Sequence, residues 1–345
     1  MERSNLAALK IKLKLRTLQE KTMSNHRFFP VLLIGIFVLG CSKAPQAEIP
    51  PLALDQVNVA RFDVVFYSDT TRSVAELRQD FSVFLPEYTP DSIWEAKRVD
   101  SLELELFRET QLVFGDFNNQ KKELAQLLAR VKYHLPQRKT PKFYTLISEV
   151  DYNYSVIDAD SLVVLGLDNF LGAEHPFYQG LPTYIKQTME PGQLMVKISA
   201  AIGRKAIEQR TATYLLDHMI AQGMVLHTQT LLWPEQNIQA HLGYTPSQWD
   251  WIQKNESDLW RIFLDKAWLY ATDQNLRINL LMPGPFSKFG LDMDREIPPM
   301  IGKYFGWKIV SSYAQGHPDL SLEAMLAMDA RSLFESSGYK PAKSK

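Results

Sequence analysis

Cys41 is the chain's single thiol, and the residues before it decide its chemistry. His26-Arg27 leads into an apolar run over 28–39, too short to span a hydrocarbon layer of about 30 Å as a stable helix. Its length and basic flank are those of a signal-peptide core. Val38-Leu39-Gly40-Cys41 then has the order of a bacterial lipobox, in which small Gly40 gives a membrane peptidase access to the bond before Cys41. The Cys41 sulfur would take a diacylglycerol and the freed amine a further acyl chain. Two or three such chains hold a protein on a bilayer without any transmembrane helix. A lone buried cysteine is the alternative, and the basic, apolar, small, Cys order favours the anchor.

Other chemistry is hard to find. There is no Gly-x-Ser-x-Gly, no P-loop, no Gly-x-Gly-x-x-Gly and no His-Glu-x-x-His in the chain. No two of His26, His134, His175, His218, His227, His241 and His317 stand four apart. His218 and Gln222 have helical i, i+4 spacing beside Asp217, but glutamine is a poor zinc ligand and a site needs further good donors. No metal and no cofactor beyond the covalent lipid is therefore expected, and His218 reads first as a satisfied surface or core histidine.

The elements that must position any site are legible in outline. Among 345 residues, 46% are hydrophobic and 22% charged, enough for a sizeable core. Without residues 1–40 the balance is 31 basic against 37 acidic side chains, which gives no general basic field for nucleic acid. The organisation expected is a signal peptide over 1–40, a lipidated tether over 41–57 and one globular domain over 58–340. Residues 1–22 lengthen the basic leader, and Met23 offers a start, so they read as an upstream extension. Ser42 to Pro51 is proline-rich and reads as an extended tether, with a single acid rather than the acidic run of surface-exported lipoproteins, which points to a periplasm-facing body.

Val59 to Tyr67 is rich in β-branched and aromatic residues and predicts a strand, followed by a helix over 73–84. From Asp91 to Pro136 two helices are expected, broken near Gly115, with Leu102, Leu106, Leu124, Leu127, Leu128 and Val131 facing inward. Phe143 to Ile147 and Ser161 to Leu167 predict paired strands. Helices dominate from Gln193, interrupted at Trp233-Pro234 and Met282-Pro283. Thr245-Pro246-Ser247-Gln248 has the cap hydroxyl, first-turn proline and returning amide of a helix start, predicting a helix from Pro246 to Tyr270. On it Ile252, Leu259, Phe263 and Tyr270 can share a face. Trp249, Trp251, Trp260 and Trp268 are distributed around it, which suits packing better than carbohydrate stacking.

Taken in order, the lipobox at Cys41, Arg61-Phe62-Asp63, the segment Gly166-Leu167-Asp168-Asn169-Phe170-Leu171-Gly172, then Pro176-Phe177-Tyr178 and Leu181-Pro182-Thr183-Tyr184-Ile185 resemble the gliding-motility lipoprotein B (GldB) family. Gly284-Pro285-Phe286 and the stretch from Pro298 to Tyr313 look like its closing signature, with Pro299 where the family pattern has glycine. The resemblance runs from Cys41 to about Tyr339. It implies a membrane-anchored lipoprotein that supports gliding motility and the associated type IX secretion machinery through protein contacts.

That family in turn looks related to gluzincin-type zinc peptidases, whose His-Glu-x-x-His helix is followed by a helix carrying a glutamate before glycine and then a Pro-Pro-x-x-Gly-Tyr-x-x-Gly segment. Ala221-Gln222-Gly223 resembles the second element, and Ile198 to Ile202 stands where the first would be. The ligands are missing, so the resemblance implies an α+β fold, mostly helical with a small N-terminal and central sheet, as a degenerate zincin-like metallopeptidase fold without the enzyme. In such a frame Gln222, His218, Gly302, Tyr304, Gly306 and Tyr313 are candidates to line a former substrate groove or partner site. For Gly302, Tyr304, Gly306 and Tyr313 close helix packing is the favoured alternative to a groove. The loop from Gly172 to Pro182 is a further partner-site candidate. A hydrolase using non-zincin residues and a glycan binder using Trp249 to Trp268 are the rival functions.

Overall fold

The computed structural model describes residues 49–341, so the expectations for Gly40, Cys41, the leader and residues 41–48 of the tether lie outside the described residues. The rest of the expected tether is not free chain: Leu52 N bonds the Ala125 carbonyl at 3.1 Å and Val57 is buried in the main core, so the body begins before residue 58. The chain enters through β1 (Val59–Arg61), then α1 (Phe62–Ser68), α2 (Val74–Phe81), α3 (Asp91–Val99), α4 (Ser101–Phe114) and α5 (Asn118–His134). The strands β2 (Lys142–Leu146), β3 (Val156–Asp158) and β4 (Leu162–Gly166) follow, then the short α6 (Thr183–Lys186). The C-terminal half is helical: α7 (Leu194–Ala206), α8 (Leu215–Leu232), α9 (Ile238–Leu242), α10 (Pro246–Asp265), α11 (Gln274–Leu281), α12 (Ile301–Gly316), α13 (Leu322–Ala327) and α14 (Ala330–Ser336). The described residues are thus mostly helical with a small mixed sheet.

The sheet has the order β1-β2-β4-β3, with β1, β2 and β4 mutually parallel and β3 antiparallel at one edge. Its register sets Phe143 opposite Val59 and Val163, and Thr145 opposite Arg61 and Leu165. Successive side chains leave a strand on opposite faces. Phe143, Val163 and Leu165 therefore enter the main core with Leu124, Leu127 and Leu128 of α5 and Ile198 and Ile202 of α7. Tyr144 and Leu146 meet a smaller aromatic cluster of Phe62, Phe66 and Phe81.

Three sequence expectations are corrected. The predicted strand from Val59 to Tyr67 ends at Arg61, and α1 takes over. Phe62, Asp63, Phe66 and Tyr67 are its buried residues, a helical spacing hidden inside a β-rich composition. Asp63 is the anchor at this switch: it is fully buried and takes Arg61 Nε at 3.0 Å and Nη2 at 2.7 Å, Gln111 Nε2 at 3.1 Å and the Thr145 hydroxyl. Asp91 to Pro136 holds three helices rather than two, because Asp100 accepts from Leu102 N at 2.9 Å and Glu103 N at 3.1 Å and so caps a new helix inside the run. Leu102 is consequently exposed while Leu106 is buried. The helix begun at Pro246 stops at Asp265, since Ala267 turns left-handed (φ 51°) and Trp268–Tyr270 forms a separate 3-10 turn that leaves Tyr270 exposed.

Other expectations stand. The Thr245 capping box forms, with Gln248 N on Thr245 Oγ1 at 3.2 Å and Thr245 N on Gln248 Oε1 at 2.9 Å. Trp260 is buried against Phe305 and Tyr339, and Trp249, Trp251 and Trp268 pack on the main core, so these rings do structural work.

The centre of the helical half is α8, buried around most of its girth by residues such as Leu216, Met219, Ile220, Met224 and Leu226. It crosses α12 backbone to backbone at Gly223 and Gly306. A Cβ on Gly306 would lie 2.6 Å from the Met219 carbonyl carbon, and one on Gly223 would lie 2.7 Å from Trp307 N. No rotamer relieves an overlap with backbone. Gly306→Ala is expected to cost about 3 kcal/mol or more in urea unfolding. Gly316→Ala, where an added methyl meets nothing, should stay within about 0.5 kcal/mol of wild type or gain slightly.

Candidate functional site

The face of α7 turned away from the core carries Lys197, Ala200 and Arg204, while Ile198, Ala201 and Ile202 fill the interior. This stripe forms one wall of a cleft of about 590 Å³, within the range of small-molecule sites. Lys303 enters from the first turn of α12, His241 from α9 and Gln229 from α8. Ser155 and Val156 line it at the edge strand β3, and Met282, Met300 and Phe170 give it apolar surface.

Charge in the cleft is one-sided. Lys197, Arg204 and Lys303 line it, and among the described lining residues there is no Asp or Glu. None of these cations makes a hydrogen bond or ion pair with a described residue. The nearest carboxylate field on Arg204 comes from Asp158, which Arg138 already holds at 2.7 and 2.6 Å. Lys197 and Lys303 are half-buried and Arg204 keeps exposed surface, yet all are hemmed in closely enough for the protein to disfavour their charge. Burial, then repulsion from Arg204, pulls Lys197 down to about 8. Burial, then repulsion from Arg204 and Lys197, pulls Lys303 down to about 7. The positive end of the α12 dipole works in the same direction.

A neutral network backs the cleft. His241 Nε2 lies 3.0 Å from the Trp233 carbonyl, which fixes the proton on Nε2, and burial holds the ring at about 4. Gln229 Nε2 donates to the Val196 carbonyl at 3.1 Å and approaches His241 Nδ1 at 3.5 Å. The Gln229 Oε1 and Asn169 Oδ1 atoms are buried without partners.

The sequence candidates go elsewhere. Tyr304 is fully buried, Tyr313 is buried, and Gly306 is in the α8 crossing, so none lines an open groove. Gly302 lies against Leu281 and the Leu280 carbonyl. The packing alternative describes these four. His218 lines a separate cavity of about 210 Å³ with Asp273 and Arg277, and burial lowers its pKa, as does Arg277. Gln222 is half-buried on α8 and lines neither space. The Gly172 to Pro182 loop is absent from the cleft lining, although Tyr184 and Ile185 just beyond it are present. A larger open depression of about 810 Å³ near Arg138 and Lys205 has its charges paired internally, as by Lys205 with Asp160 at 3.4 Å and Glu208 at 2.6 Å. It is the less informative of the two despite its size.

Lys197, Arg204, Lys303 and His241 were missed because isolated cations on a predicted helix read as solvated surface. The available signal was Lys197 and Arg204 at i, i+7 on one face of α7. Glu256 was missed as well. It is buried and accepts from Tyr304 Oη at 2.6 Å and Tyr339 Oη at 2.8 Å, with Lys308 Nζ at 3.3 Å. Tyr304 thus ties α12 to α10, and Tyr339 ties the C-terminal segment to both. Asp168 does similar work in the Gly166 to Gly172 segment: Ser148 N at 2.8 Å and Val150 N at 2.6 Å donate to it, steadying Glu149 and Val150 in left-handed backbone. Burial raises the Asp168 pKa against those bonds.

The geometry defines a mostly helical α+β body that presents a cation-lined cleft, and no group of three His, Cys, Asp or Glu that could hold a metal occurs among the described residues. Residues 43–341 match the family model described as gliding motility protein GldB, and the chain belongs to that gliding-motility lipoprotein family. No curated protein and no solved structure matches the chain. No helix among the described residues is long and apolar enough to cross a membrane.

The unfolded chain holds the Lys303 proton up to about 10.4, whereas the fold releases it near 7. The unfolded state therefore binds more protons between these values, and stability rises with pH across that window and is flat below it. In buffers without multivalent anions, the urea midpoint should rise from pH 7 to pH 9, and Lys303→Met should raise it at pH 7 and flatten the rise. Equal slopes in the two proteins would count against the assignment. At the other polar cluster, Glu256→Ala should cost about 3 kcal/mol by stranding buried hydroxyls, and Tyr304→Phe about 1 kcal/mol.

Proposed function

We infer that this chain is a lipid-anchored, periplasm-facing lipoprotein that supports gliding motility and the associated type IX secretion machinery by binding rather than by catalysis. The observation that carries the reading is the family match over residues 43–341. The Cys41 lipobox supplies the anchor by sequence, and the proline-bearing residues after it serve as its tether up to Leu52, which already lies on the body.

The non-catalytic part rests on chemistry. A zinc hydrolase needs three protein ligands, a polarised water and a general base. The helices that stand in a gluzincin-like order, α7 and α8, bring Lys197, Ala200, Arg204 and Gln229 to the cleft instead of imidazoles and carboxylates. An antiparallel edge strand, β3, also borders it. The peptidase-like frame rests on the sequence resemblance alone, and these α7 and α8 residues could not serve as its metal ligands. Work through contacts with gliding or secretion proteins then remains as the role, with Gln222, His218 and the Gly172 to Pro182 loop retained as surface candidates.

Cys41→Ser should abolish palmitate labelling, move the protein from the membrane fraction to the soluble one, and fail to restore gliding in a strain lacking the gene. Full restoration by the soluble variant would remove anchoring from the function. The purified full chain should hold far less than stoichiometric zinc, and zinc near one equivalent with chelator-sensitive peptidase activity would overturn the non-enzymatic reading.

A further inference from the structure

We propose that the cleft between α7, α9 and α12 is a binding site for a phosphate or diphosphate group carried on a partly apolar small molecule, with Lys197, Arg204 and Lys303 as its cationic ligands. This goes beyond the anchoring and partner roles and does not depend on them.

The first observation is the missing countercharge. Elsewhere the protein pairs its enclosed charges, Asp63 with Arg61 and Asp158 with Arg138. In the cleft, cations from α7 and α12 repel one another across a space with no carboxylate among the described lining residues. Holding like charges together in a partly dehydrated space costs stability, and a bound anion removes that cost. The second is the donor set. A guanidinium forks onto two oxygens, and ammonium groups add point charges, an arrangement suited to an oxyanion with several oxygens and a charge of two or more. One carboxylate would leave most of the positive charge uncompensated. The α12 N-terminus adds a favourable dipole end.

The third observation is room. About 590 Å³ far exceeds the need of inorganic phosphate. Phe170, Met189, Met282 and Met300 offer apolar wall beyond the cations, and the side-chain amides of Gln187 and Gln193 offer further polar contacts. The unpartnered Gln229 Oε1 adds a buried acceptor at the back of the space. The ligand therefore has an anionic head and an organic remainder with some apolar surface.

The groups that act on Lys303 are Lys197 and Arg204 from α7 and His241 from α9, and the phenols of Tyr152, in a 3-10 turn, and Tyr184, on α6, line the same cleft. With His241 neutral at about 4 and Lys303 near 7, binding a multivalent anion should take up protons at neutral pH and tighten as pH falls from 8.5 to 6.5.

The test is calorimetric titration and thermal melting of the full chain in detergent with inorganic diphosphate, a short-chain prenyl diphosphate, sulfate and citrate, and vesicle binding with phosphate-bearing lipid. Saturable one-to-one binding of diphosphate is expected, tighter for the prenyl ester and at least tenfold weaker in Lys197→Met and Arg204→Leu. A surface control, Arg72→Met, should leave it unchanged. Tighter binding of the free prenyl diphosphate than of vesicles identifies a soluble ester; the reverse identifies a lipid headgroup. Lys303→Met is included, and if it fails to fold the two α7 variants still decide the outcome. No saturable binding, citrate binding as tightly as diphosphate, or binding unaltered in the α7 variants would overturn the site.

Discussion

The crossing of α8 and α12 at Gly223 and Gly306 is the constraint on which the C-terminal half depends. Two helix backbones meet there with no side chain between them. That depth of approach places Lys303, within a turn of the crossing, opposite α7. It also turns Tyr304 toward Glu256 on α10. A wider crossing would draw α12 away from both partners at once. Close contact between helices is thus what converts a set of apolar segments into a body with a defined cleft.

Polar groups inside this body divide into two kinds. Asp63, Asp168 and Glu256 are buried and well supplied with donors, and each fastens segments that are distant in sequence. Asp63 joins β1 to β2 and α4; Asp168 holds the 148–150 turn; Glu256 collects α10, α12 and the C-terminal segment. Half-buried Lys197 and Lys303, and Arg204 with its exposed surface, are the opposite kind, without partners among the described residues. A protein that satisfies its structural charges so thoroughly has no structural use for three that repel. The contrast separates groups kept for stability from groups kept for a ligand.

The cleft has the chemistry of an anion site: cations line it, and no group of three His, Cys, Asp or Glu that could hold a metal occurs among the described residues.

Local signals determined much of this. The lipobox order, the Thr245 capping box, the breaks at Gly115, Trp233 and Met282, and the strands around Phe143 and Val163 all rest on interactions within a few residues, which a chain records in its own spacing. Gly302 and Gly306 were legible as places of close approach from residue type, but the neighbours they meet, Leu281 and Met219, come from other helices. The tertiary structure alone decided the switch from strand to helix at Arg61, because Asp63 finds Thr145 and Gln111 far along the chain. It alone turned Tyr304 and Tyr313 inward, and it alone brought Lys197, Arg204 and Lys303 to one cleft. Lone cations look alike in sequence whether solvent or protein surrounds them, and only the fold fixes which of the two each one meets.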